Sequence, residues 1–291
     1  MGNGAMQDCE AVDATLPVRQ GDVLKRVQPD GKGSLVVVVT ADCDIANNKV
    51  GDAGLACVQL TPLANYMLNE HASAQARRQL RKRFEKATEW INKRWLQCDP
   101  SHVPLTEESV QRWLTQDPPD RIESALGLPL DDQRSFIKRE SAALRSAHEF
   151  IENAGDQYCA IDALRALQNK PTSRAEQLKT LFGTVDPGDL PLDMFFISSV
   201  PGEPDVGFIA KLRALSFVPL NRSFTSMAAA KECENTFIRV GRLAPTFRHA
   251  MAQQFGMLFA RIGLPKPYEI DREAAFAVVA EQLANDMGEE K

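Results

Sequence analysis

No apolar run in these 291 residues approaches the roughly 18–20 residues that span a bilayer. The chain also lacks any C-x-x-C pair: Cys9, Cys43, Cys57, Cys98, Cys159 and Cys233 are scattered. That spacing argues against zinc ribbons and against a disulfide scaffold. Met1 to Asp13 holds no basic segment followed by an apolar stretch. Met6 stands where a myristoylation motif starting at Gly2 needs Ser or Thr. The expectation is a cytoplasmic chain with reduced thiols and no membrane association. A net charge of −5 excludes uniform coating of nucleic acid, although it averages over segments of opposite sign.

Against these absences, one stretch organises the rest. Leu35 to Val39 are five consecutive apolar residues, four of them valine. β-Branching favours strand, and a run without alternation predicts burial on both faces, hence a central strand. It ends in Thr40-Ala41-Asp42-Cys43-Asp44, the densest cluster of reactive side chains in the chain. Short strands are also expected within 20–27 and over Leu55–Leu60, with turn signals at Pro29-Asp30-Gly31-Lys32-Gly33 and Val50-Gly51-Asp52-Ala53-Gly54. Residues 1–17 read as a loose tail.

After Pro62 helical periodicity takes over. Leu80, Phe84, Ala87, Ile91 and Trp95 fall on one stripe of a long helix. Thr106–Thr115 reads as a short helix, Asp131 as the N-cap of a helix closing near Gly155, and Ser173 with Glu176 as a capping box. Strand character returns at Met194–Ile197, Val206–Val218 and Phe237–Val240. Helices are expected from Pro245 and from Asp271. The fold class is therefore α+β: a small antiparallel β-barrel split between 18–63 and 190–245, a helical insertion over 64–189, and C-terminal helices over 246–291. Two consecutive domains are the alternative.

Gly21-Asp22-Val23, the strand Val36–Thr40, Asn47-Asn48-Lys49 and the strand Cys57–Pro62 together resemble the MazF/PemK family of toxin endoribonucleases. Gly207–Leu215 and Val240-Gly241-Arg242-Leu243 resemble that family's later elements. The resemblance covers about a third of the chain. It implies an SH3-like barrel, a bacterial source and chemistry on RNA, with Thr61 at the position of the family's active threonine. The family's Arg-Pro before the apolar strand reads Gly33-Ser34 here, and its later Asp-Gln reads Ala210-Lys211.

Three groups of residues are candidates for function. In an extended segment Asp42 and Asp44 would share one side with Cys43 on the other. Two such carboxylates suit a divalent cation or a shared proton, but no third ligand is in sequence reach, so no metal or cofactor is assigned. A cysteine nucleophile would need a lowered thiol pKa, which flanking carboxylates oppose. An Asp-capped turn after a buried strand is the structural alternative. The second group is a basic helix: Arg77, Arg78, Arg81, Lys82, Arg83, Lys86, Lys93 and Arg94, opposed by Glu85 and Glu89, with Trp90 placed to stack on a base. A solvated face balanced by acidic helices is the plainer reading. The third is Arg239, Arg242, Arg248 and His249, which would approach Asp42–Asp44 in a split barrel, Arg248 pairing with a carboxylate.

Two functions follow. In one, Asp42, Cys43, Asp44, Thr61 and Arg248 form a cleft that binds and cleaves RNA or another phosphodiester, while the basic helix holds the backbone. In the other, the barrel is non-catalytic and the helices, through Trp90, Trp95 and Trp113, dock a protein partner in a bacterial stress, toxin–antitoxin or phage-defence assembly.

Overall fold

The β-branched runs become strands of one curled, half-barrel sheet. The structure, a computed structural model, describes residues 8–27, 33–129, 135–152, 156–183, 185, 190–230 and 236–260, with isolated positions beyond residue 265. Its strands are β1 (Cys9–Glu10), β2 (Asp22–Arg26), β3 (Leu35–Val38), β4 (Leu55–Pro62), β5 (Met194–Ile197), β6 (Phe208–Val218), β7 (Ser223–Phe224) and β8 (Phe237–Leu243). They run in the order β1-β8-β2-β3-β4-β6-β5, antiparallel throughout, with β7 added parallel to β8. The valine strand β3 is thus central, as its composition requires. Leu35, Val37 and Val39 join Val23, Val58, Phe208 and Met251 on one face. Val36 and Val38 join Leu24, Leu55, Cys57 and Val218 on the other.

The N-terminal residues are a correction. They are not a loose tail from residue 8 onward, because Cys9 and Glu10 pair with Leu243 and Arg242. Asp8 also accepts from the Ser198 amide and hydroxyl. Two residues carry too little pattern for such a strand to be read locally.

Helices occupy the chain between β4 and β5. A turn α2 (Leu63–Asn65) passes through a π-helical turn, Tyr66–His71, into α3 (Ala72–Cys98). Then come α4 (Glu107–Gln116), α5 (Pro119–Ala125), α6 (Phe136–Glu152), α7 (Cys159–Ala166) and α8 (Arg174–Gly183). The stripe of α3 is buried as its spacing demands, with Leu80, Phe84, Ala87 and Ile91 meeting Leu144, Ala147, Ile161 and Leu164. Thr106 caps α4 by accepting from the Ser109 amide. Ser173 and Glu176 exchange hydrogen bonds reciprocally, the capping box expected before α8. The expected cap at Asp131 lies outside the described residues; Ser135 accepts from the Lys138 amide at the start of α6. Two short helices complete the set: α1 (Asp42–Ala46) after β3 and α9 (Met227–Ala230) before β8. After β8 comes α10 (Pro245–Ala260), set against the barrel core through Met251 and Phe255. The helix expected from Asp271 lies largely outside the described residues. No described helix is long and apolar enough to cross a membrane.

Candidate functional site

Two short polar devices hold the end of β3. The sequence Asp42-Cys43-Asp44 is not extended but forms the first turn of α1, so its carboxylates do not share a side by strand alternation. Asp and Asn favour such local hydrogen-bonded turns over a continued strand. Asp42 Oδ1 accepts from the Gln20 amide at 2.7 Å, and its Oδ2 lies 3.7 Å from Arg248 Nη1. Arg248 reaches it by laying its alkyl stem on Gly21, where an added Cβ would stand 2.9 Å from two of its carbons. The expected approach of Arg248 to Asp42 is therefore seen, at long range for an ion pair. Cys43 is exposed. Asn47 donates to the Cys43 carbonyl at 2.7 Å, and Asn48 takes a left-handed φ of 53°, which asparagine tolerates.

The stronger cation–carboxylate group is one that the chain's order hides. Asp22, fully buried, accepts from Arg242 Nε at 2.5 Å and Nη2 at 3.1 Å, from the Arg19 amide at 2.9 Å, and from Arg239 Nη1 at 3.4 Å. The same arginines reach the carbonyls of Asp13 and Pro17. Arg239 and Arg242 thus fasten the N-terminal segment to the sheet, and their charge is spent on Asp22 rather than on Asp42 or Asp44. His249 is exposed on α10.

Thr61 is placed away from this group. Ala56 bonds Thr40 beside α1, and Thr61 follows five residues later in β4, roughly 17 Å at about 3.3 Å per residue. Thr61 pairs across to Ile209, next to Ala210 and Lys211, and Lys211 forms an ion pair with Glu70 of the π-turn. The Thr61 hydroxyl is buried without a hydrogen-bond partner among the described residues. Asp42, Thr61 and Arg248 therefore do not line one cleft. Among the described residues, no three His, Cys, Asp or Glu side chains come together to hold a metal.

The basic helix is only partly a free face. Arg83 turns inward: Nε and Nη2 bond Glu140 at 3.0 and 2.7 Å, and Nη1 donates to the Leu167 carbonyl. Arg94 is half-buried, its Nε unpartnered among the described residues. Arg77, Arg78, Arg81, Lys82, Lys86 and Lys93 remain exposed, beside Glu85 and Glu89, with Arg81 paired to Glu85 at 3.5 Å. The exposed surplus is four positive charges rather than the six that the sequence suggests. Trp90 is also a correction, because it packs on Phe136 at 4.3 Å instead of standing free to stack on a base. Trp95 stacks on His102 at 3.9 Å and meets Trp113 edge-on at 5.9 Å, so these tryptophans knit the helices together. No sequence-local signal marks Arg83 or Trp90 as inward, since their partners lie on a different helix.

Thiol chemistry divides by burial. Burial pushes Cys57 up to about 12; burial, with the charges of Asp8, Asp22 and Glu10, pushes Cys9 up to about 12. Neither forms thiolate near neutrality. Iodoacetamide on the native protein at pH 8 is expected to modify Cys43 and leave Cys9 and Cys57 unlabelled until denaturant is added. Peptide mass spectrometry checks this, and early labelling of Cys57 would contradict the burial.

No protein-family model, curated protein or solved structure matches this chain.

Proposed function

We propose that this protein binds single-stranded RNA along the exposed face of α3, on a MazF-like barrel that serves as scaffold. The observation carrying this reading is the run of exposed cations Arg78, Arg81, Lys82, Lys86 and Lys93 on one 27-residue helix of an acidic chain. Cations strung along one face track a phosphate backbone, and each phosphate neutralised releases counterions. Binding is favoured over cleavage, because Asp22 and Asp42 are engaged by arginines and by backbone amides, and Thr61 stands apart from both. A protein-interaction role in a bacterial stress or phage-defence complex is the second reading. It draws on Leu215 and Phe217, 42 % and 58 % exposed on β6.

Fluorescence anisotropy with a mixed single-stranded RNA pool tests the first reading. Arg78→Ala/Lys82→Ala/Lys86→Ala is expected to weaken binding at least tenfold near 0.1 M salt. It should also flatten the slope of log K against log salt by about 2, at roughly 0.7 per phosphate contact. Arg83 is left intact because its loss would unpair Glu140. RNA should stay uncut with and without Mg²⁺. Salt-independent binding, or none, by the parent protein would refute the proposal, and RNA shortening abolished by Asp42→Ala/Asp44→Ala would establish a nuclease instead.

A further inference from the structure

A cavity of about 510 Å³ opens where the π-turn enters α3 and faces the start of α7. π-Turns widen a helix locally and recur at functional sites. Asn69, Glu70, Ser73 and Arg77 line one wall at helical spacing, so their side chains share a face. Asp156 and Gln157 line the opposite wall, and Leu68, Ala74, Ile151 and Ala160 supply apolar surface. The volume falls in the range of about 300–1,000 Å³ typical of small-molecule sites, and the six polar side chains named in its lining suit a polar ligand.

Its charges are mostly settled by the protein itself. Glu70 is held by Lys211, and Asp156 lies 3.3 Å from Arg174. Arg77 has no partner of this kind among the described residues, which leaves one uncompensated cation on the wall. A guanidinium offers a fork of donors suited to a phosphate, and the Ser73 hydroxyl, one turn earlier, adds a further donor towards the same region. An inorganic phosphate is far smaller than the cavity. The amides of Asn69 and Gln157 offer paired donors and acceptors to a ring edge, and Leu68 and Ile151 an apolar surface beside it.

We propose that this cavity binds a nucleoside monophosphate, its phosphate on Arg77 and Ser73 and its base towards Asn69 and Gln157. The proposal is independent of RNA binding on the outer face of α3. Isothermal titration of the full chain with AMP, GMP, adenosine and inorganic phosphate tests it. At least one nucleotide is expected to bind ten times or more tightly than either adenosine or phosphate alone. Arg77→Gln should weaken nucleotide at least tenfold. Ala74→Trp, an exposed rim position filled by a large ring, should remove binding, with helical circular dichroism unchanged in both variants. Nucleotide affinity of Arg78→Ala/Lys82→Ala/Lys86→Ala should stay at the parent value, which separates the two sites. No nucleotide binding, phosphate or adenosine matching the nucleotides, or parental nucleotide affinity in Arg77→Gln or in folded Ala74→Trp would each overturn the proposal.

Discussion

Asp22→Ala is expected to destabilise the protein by about 3–5 kcal/mol, the range found when one partner of a buried ion pair is removed. Asp22 is fully buried and the Arg239 side chain is 1 % exposed, so the substitution leaves a guanidinium in the sheet without its carboxylate. It also removes the acceptor for Arg242 Nε and for the Arg19 amide. Asp22 ties β2, β8 and the segment before Gly21 together, beside the bonds that Arg239 and Arg242 make to the Asp13 and Pro17 carbonyls. Asp42→Ala is the matched control. Its side chain is 43 % exposed and its arginine lies 3.7 Å away, so about 1 kcal/mol or less should be lost. Urea unfolding followed by circular dichroism compares the two, and equal midpoints would mean that Asp22 carries no special weight.

The second large effect is expected at Gly54, just before β4. Its φ of +89° is a conformation that side chains disfavour, and an added Cβ would stand 2.3 Å from the Val218 carbonyl oxygen and 2.7 Å from Pro219 Cα. Both obstacles are backbone at the end of β6, so no rotamer change relieves them. Gly54→Ala should therefore cost about 2–5 kcal/mol, combining roughly 1–2 for the left-handed backbone with about 1–3 for overpacking. Gly51→Ala separates these contributions. Gly51 also has positive φ, at +62°, but nothing lies within 4 Å of its added Cβ. Only the backbone cost of about 1–2 kcal/mol should appear there. Thermal melts of the two variants side by side provide the measurement, and equal losses would place the close approach to Val218 in error.

What could be read along the chain was what depends on neighbours in sequence. The run of valines made β3 a central strand, spacing of three and four made the buried stripe of α3, and Ser173 with Glu176 made a cap. The π-turn left no such mark, although Tyr66 and Met67 within it are buried in the helical core. The candidate site was legible in parts. Arg248 does approach Asp42, but the partners of Asp22 lie 217 and 220 residues away and could not be paired from order alone. Arg83 looked like one more surface cation until Glu140, 57 residues on, was seen to hold it.

That long separation has a consequence for how the chain acquires its structure. Closing β2 onto β8 joins residues about 220 apart, and the entropy of closing a loop rises with its length. The helices from Leu63 to Gly183 instead contact partners much nearer in sequence, and local contacts form fastest. During synthesis the helical segment can collect its own core while β2, β3 and β4 wait with open edges for strands that the ribosome has not yet made. Those waiting edges, β2 and β4 on either side of the valine strand, are the part of the newborn chain most exposed to wrong pairing. Arg239 and Arg242, arriving on the last strand, neutralise Asp22 at the moment the edge is covered.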